Sequence, residues 1–330
     1  MPFEGSMGGL VGDADHDGVS FVFGGWVQPD HLYRYRPAAG RVELLPAFFN
    51  PPDPNGELPG LTARTVLVRS HDGVMVPLTI LRGPGPQGSR PTILSGYGAY
   101  GTTIDAFFRA DIRPWLAAGG VYAFCHTRGG GYFGRAWREA GMMQTKPNTW
   151  KDGIACAEYL VRQGITTPAR LGITGVSAGG TFVGRALTER PDLFAAATIE
   201  VGWLDMVRFY RDGSGPANLD EFGSVESEPG FRGLLAMSSY HHVQPGARYP
   251  ATLLYAGFND ARVTPWHAAK MAAALRHAGG AAALPGAERP VLLAVDFGTG
   301  HGAGSSTDQQ ENRWAATLAF FAARLGLPVR

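Results

Sequence analysis

The feature that most limits what this chain can become is a train of short, almost wholly apolar runs set between helix-like segments. From residue 64 onward the strand candidates are Pro91 to Leu94, Val121 to Cys125, Arg170 to Thr174, Ala195 to Val201, Ala251 to Tyr255 and Pro290 to Val295. Runs this short and this apolar suit strands covered on both faces. Between them, Ala157, Leu160 and Val161 share one face of a helix opened by Thr149, and Ala268, Met271, Ala272 and Leu275 share one face of a later helix. A last helix is expected from about Asp308 to Leu325. Ahead of this train, Thr65 to Val68 and Val74 to Ile80 flank Ser70-His71-Asp72-Gly73, a hairpin with Asp-Gly at its turn. Strands interleaved with helices predict an α/β fold, a mostly parallel sheet with helices on both faces. In such sheets reactive groups gather at the carboxyl ends of the strands.

The first 60 residues read differently. Val19 to Trp26, Leu32 to Arg36 and Arg41 to Leu45 mix apolar and polar residues in rough alternation, with Pro37-Ala38-Ala39-Gly40 as a turn. They predict a short antiparallel β segment. So few strands have too little core to stand alone, so the segment must lean on the rest. The Pro-rich stretch Phe49 to Asn55 marks the boundary, dividing the chain into residues 1–60 and an α/β domain of residues 61–330.

Composition excludes several partners. The chain has 330 residues, 45% apolar and 17% charged, with a net charge of +1. Its basic residues are scattered among acids, which argues against a nucleic-acid partner. No apolar run reaches a membrane span, and Met1-Pro2-Phe3-Glu4-Gly5 does not open a signal peptide, so a cytoplasmic location is expected. Two cysteines, Cys125 and Cys156, give neither a disulfide framework nor a metal motif and are expected as buried free thiols. No metal or other cofactor is expected.

The chemistry centres on Gly175-Val176-Ser177-Ala178-Gly179-Gly180, placed where a strand turns into a helix. That is the setting of a G-x-S-x-G nucleophile elbow, whose glycines leave room for a turn too tight for Cβ atoms. So short a pattern is weak alone, and a Gly-rich turn without chemistry is its plain alternative. Two further strand ends strengthen it. Asp260 lies in the loop after Ala251 to Tyr255, and His301 sits among glycines after the final strand. The order Ser177, Asp260, His301 is the α/β-hydrolase order of nucleophile, orienting acid and base. The N–H of Ala178 would supply one oxyanion donor. The loop Ser95 to Gly101, which carries Tyr97, occupies the place of the second.

Several segments together resemble one family. Ser95 to Tyr100, Thr127 to Gly134, Lys146 to Asp152, Gly175 to Gly180 with Arg190 to Phe194, Asn259 to Pro265 and Gly300 to Gly304 follow, in order, the catalytic domain of the prolyl oligopeptidase family of serine peptidases. The resemblance runs from about Arg64 to Leu325. It implies that Ser177 is the nucleophile, His301 the general base and acid, and Asp260 its orienting carboxylate. It further assigns the Tyr97 hydroxyl and the Ala178 N–H to the oxyanion hole, and Arg262 to a substrate carbonyl. An ion-pair role for Arg262 is the alternative. The first 60 residues resemble the final strands of that family's β-propeller, most of which would be missing, so the chain either works uncovered or belongs to something longer. Arg128 to Gly131 lacks the features of a phosphate loop and reads as a backbone bend that needs small residues.

There are departures. Where proline-specific members place a tryptophan against the substrate's proline ring, this chain aligns Asn218, and Trp203 stands where a smaller apolar residue is usual. Tyr100, Phe222 and Val263 keep the pocket apolar. An amide cannot replace the stacking area of an indole, so strict proline preference is not expected. The sequence therefore predicts a serine peptidase acting on oligopeptides through an acyl-enzyme. The alternatives are a carboxylesterase on the same triad and a non-catalytic remnant. Without the propeller, exposed apolar surface on residues 19–45 and on the peptidase face would favour homo-oligomers.

Overall fold

A computed structural model of the chain describes residues 5–13, 15–46, 58–85, 87–284, 286–302 and 306–328. The Pro-rich stretch expected to mark the boundary, Phe49 to Asn55, lies outside the described residues. The rest forms two sheets. The smaller is an antiparallel meander of β1 (Ser6–Asp13), β2 (His16–Gly24), β3 (His31–Arg36) and β4 (Arg41–Leu44), paired in chain order. Gly40 closes the turn before β4 at φ 60°, a left-handed backbone that costs glycine nothing. The last three strands are the expected ones. β1 is an addition: Gly8, Gly9 and Gly12 interrupt its alternation, and it pairs with β2 around a register shift between Gly8 and Val11.

Phe21, Phe23 and Tyr33 make the small core of this sheet. Three side chains cannot stabilise four strands alone, and the sheet does lean on its neighbour. Trp26 stacks on Phe124 with ring centroids 4.9 Å apart, and the Ala106 N–H donates to the Ser6 hydroxyl at 3.0 Å.

The larger sheet has eight strands in the order β12-β11-β10-β9-β7-β8-β6-β5. β5 (Thr62–Arg69) and β6 (Met75–Arg82) are the expected hairpin, and β6 continues antiparallel to β8. β7 (Thr92–Gly96), β8 (Val121–Cys125), β9 (Leu171–Val176), β10 (Ala196–Glu200), β11 (Ala251–Gly257) and β12 (Val291–Asp296) run parallel. Each is one of the predicted apolar runs. The helices are α1 (Arg113–Ala117), α2 (Arg135–Glu139), α3 (Pro147–Arg162), α4 (Gly179–Glu189), α5 (Leu219–Phe222), α6 (Glu228–Met237), α7 (Trp266–Gly279) and α8 (Thr307–Leu325). One face of the sheet packs against α3, α4 and α7 through Cys156, Leu160, Phe182, Val183, Met271 and Leu275. The other face packs against α1 and α8 through Trp115, Leu116, Phe321 and Leu325. This is the α/β-hydrolase fold.

Two local expectations are corrected. Helix α3 opens at Pro147, whose fixed φ suits a first helical position, and Thr149 lies within the first turn, its hydroxyl donating to the Arg128 carbonyl at 2.7 Å. Cys125 and Cys156 are not free thiols but joined in a disulfide, with Cα atoms 6.4 Å apart. Packing α3 across β8 brings together two buried cysteines that sequence spacing leaves 31 residues apart, within the reach a disulfide requires.

Candidate active site

The turn from β9 into α4 puts Ser177 at φ 56°, a left-handed backbone that is strained for serine. Its surroundings fix it there. The Ser177 N–H donates to the Glu200 carbonyl of neighbouring β10 at 2.8 Å, and its carbonyl accepts from the Gly180 N–H at 2.8 Å. A Cβ on Gly175 would stand 2.4 Å from the Gly179 carbonyl oxygen, and one on Gly180 the same distance from the Gly202 Cα. Only glycine fits at either position.

Asp260 and His301 reach this serine from the two strands at the sheet's far edge. His301 Nε2 lies 2.8 Å from Ser177 Oγ, and Nδ1 lies 2.7 Å from Asp260 Oδ2. The buried Asp260 also accepts at Oδ1 from the Arg262 and Val263 N–H groups, at 2.8 and 2.9 Å. Both carboxylate oxygens are thus engaged, which fixes the ring orientation. With Nδ1–H donating to the carboxylate, Nε2 is free to accept the serine proton. The two loops are stitched together: Asn259 N–H to the Thr299 carbonyl at 3.0 Å, Asn259 Nδ2 to the Phe297 carbonyl at 3.0 Å, and Phe258 N–H to the Asp296 carbonyl at 2.8 Å. Of the expected glycine-rich motif, Ala303 and Gly304 lie outside the described residues.

Tyr97 follows β7, on the other side of β9. Its loop packs directly on the start of α4, where a Cβ on Gly179 would come within 3.0 Å of the Gly96 carbonyl oxygen and 3.6 Å of the Tyr97 Cα. Burial raises the Tyr97 pKa, with Ser177 pulling the other way, so the phenol remains a proton donor at neutral pH. Ala178 stands at the head of α4, where backbone N–H groups have no acceptor within the helix.

The expected pocket residues divide into a floor and a rim. Phe222, 1% exposed, meets Trp203, 3% exposed, edge to face at 5.1 Å, and Phe209 packs against both. Tyr100 is the solvent-facing member, edge to face with Phe222 at 6.0 Å, and its hydroxyl donates to Asn218 Oδ1 at 2.7 Å. Asn218 therefore ties down the rim. Val263 is buried. Arg262 is exposed, and among the described residues no ion pair engages its guanidinium, which leaves the charge available to a ligand. The bend Arg128 to Gly131 needs small residues as expected, because a Cβ on Gly129 would lie 2.1 Å from the Gly98 carbonyl oxygen.

Two supporting clusters lie outside the residues that the sequence assigns to the site. Lys146, fully buried, donates from Nζ to the Gly98 carbonyl at 2.8 Å and to Glu221 Oε1 at 2.7 Å, linking the Tyr97 loop to α5. Asp212 accepts from Trp203 Nε1 at 2.9 Å, from the Thr264 hydroxyl, and from His267 Nε2 at 2.8 Å, while His267 Nδ1 accepts from the Asp205 N–H at 3.1 Å. Only the contacts between distant segments reveal them.

The profile of the prolyl oligopeptidase family matches residues 106–327. The chain belongs to the prolyl oligopeptidase family. A prolyl endopeptidase of Elizabethkingia miricola is 32% identical over 333 residues, covering 99% of this chain and 45% of that protein. Among solved structures of the family, a chain from a structural study of two prolyl endopeptidases superposes with a TM-score of 0.89 at 37% identity, covering 99% of this chain and 47% of its own. Prolyl oligopeptidase B from Galerina marginata, bound to a 35mer hydrolysis and macrocyclization substrate, superposes with a TM-score of 0.88 at 30% identity, over 99% of this chain and 46% of its own. The chain thus spans about half the length of the prolyl oligopeptidases it matches. No helix among the described residues is long and apolar enough to cross a membrane.

Proposed function

We propose that this chain is a serine peptidase of the prolyl oligopeptidase type that cleaves oligopeptides through an acyl-enzyme. The observation that carries the reading is the unbroken run of hydrogen bonds from Ser177 Oγ through His301 to Asp260. Ser177 Oγ attacks the scissile carbonyl carbon while His301 Nε2 takes its proton, and Asp260 steadies the imidazolium. The oxyanion accepts hydrogen bonds from the Ala178 N–H and the Tyr97 hydroxyl, and Arg262 holds a substrate carbonyl. His301 then protonates the departing amine nitrogen as the C–N bond breaks. A water deprotonated by His301 attacks the ester, which releases the acid and restores Ser177.

Labelling with a fluorophosphonate and turnover of a short peptide p-nitroanilide test this together. Both should vanish in Ser177→Ala, and a folded protein that never labels would be a non-catalytic relative. The same groups serve esters, so a carboxylesterase is the second reading, and faster turnover of p-nitrophenyl butyrate than of the anilide would favour it. With Asn218 bonded to Tyr100, an amide and not an indole occupies this place on the rim. We therefore expect comparable kcat/KM for Pro- and Ala-containing chromogenic peptides, and a large Pro preference would overturn that. We further assign residues 1–60 to a β appendage and 61–330 to the peptidase domain. Exposed Met7, Leu10, Val11, Val42 and Leu44 on the small sheet favour self-association, which sedimentation velocity would detect.

A further inference from the structure

Two phenylalanines stand exposed where the Asp260 and His301 loops leave the sheet. Phe258 follows β11 and is 55% exposed, and Phe297 follows β12 and is 70% exposed. Their ring centroids lie 5.2 Å apart with planes tilted by 38°. Neither ring serves the core, and the backbone that carries each is held, because Phe258 N–H donates to the Asp296 carbonyl and Asn259 Nδ2 to the Phe297 carbonyl. A solvent-facing aromatic pair on a held backbone is a ready surface for an apolar side chain.

Strand order says which part of a substrate would meet it. β11 and β12 lie on one side of β9, which carries Ser177, and β7, which carries Tyr97, lies on the other. The aromatic pocket of Tyr100, Phe222 and Trp203 adjoins Tyr97, whose ring is 6.3 Å from that of Tyr100. The acyl half of the peptide belongs with that pocket and the oxyanion donors. The leaving half must depart past His301, because His301 hands its proton to the leaving nitrogen. Phe258 and Phe297 stand on that side of the sheet, two residues before Asp260 and four before His301 in the loops that leave β11 and β12.

We propose that Phe258 and Phe297 form a leaving-side subsite that takes a large apolar or aromatic side chain just C-terminal to the scissile bond. The inference rests on the peptidase reading above. Internally quenched peptides, identical on the acyl side and carrying Phe, Leu, Gly or Asp at the first two leaving positions, test it. Phe should exceed Gly about tenfold in kcat/KM, the scale set by burying one aromatic ring. In the double variant Phe258→Ala/Phe297→Ala the ratio should fall to within about twofold of unity. Phe297→Lys should instead turn the preference towards Asp. A wild-type ratio near unity, or a ratio that survives the double substitution, overturns the subsite and leaves the peptidase reading standing. Failure to cleave any peptide, together with failure to label Ser177, overturns both.

Discussion

His126, just past β8, is 5% exposed, and its Nε2 lies 2.8 Å from the Thr79 hydroxyl oxygen. Burial lowers its pKa to about 4, against 6.5 for an unburied imidazole. Between those values the unfolded chain takes up a proton that the folded chain refuses, so stability falls as pH drops from 6.5 to 4. One such group contributes a loss of about 3 kcal/mol. Urea titrations at pH 7 and pH 4.5 should show this slope, and His126→Asn should flatten its share. At Tyr97 the expected effect is on rate: by the proposed mechanism Tyr97→Phe removes one oxyanion donor, and it should lower kcat by about a hundredfold with little change in KM or melting temperature.

Among the elements, the Lys146 contact joins the start of α3 to both the Tyr97 loop and α5. Desolvation lowers the lysine's pKa, while Glu221 opposes the shift. Lys146→Met would strand Glu221 in the interior and should cost about 3–5 kcal/mol by denaturant unfolding. Adding Glu221→Gln should recover part of the loss. The Cys125–Cys156 disulfide closes a loop of 31 residues between β8 and α3, which corresponds to about 3–4 kcal/mol. Melting with and without reductant measures it, and an unchanged melting temperature would refute it. These elements also mark what was legible in the sequence. The parallel strands could be read because burial on both faces makes each an unbroken apolar run. Ser177, Asp260 and His301 could be read because each sits where a strand ends. The disulfide could not, since nothing in the spacing says that α3 lies over β8. Lys146 opens one of the family-like segments, but its role is not legible until Gly98 and Glu221 close around it. β1 was hidden because glycine-rich, exposed strands carry no apolar signal and take their register from β2.

In the whole molecule, the contacts that hold the small sheet among the described residues include Trp26 on Phe124 and the Ala106 N–H on Ser6. Trp26→Ala should raise amide exchange throughout β1 to β4 and leave β7 to β11 protected, because the larger sheet has its own core. Uniform loss of protection would show that the two sheets unfold as one unit. The strand order has a further consequence, in time rather than space. Ser177 is made well before its partner His301, 124 residues later. Synthesis at 5–20 residues per second separates them by about 6–25 s. β12 must then add to the sheet edge before His301 can reach the elbow. By the proposed mechanism, a growing chain therefore carries its nucleophile without its base and gains hydrolytic power only when β12 docks.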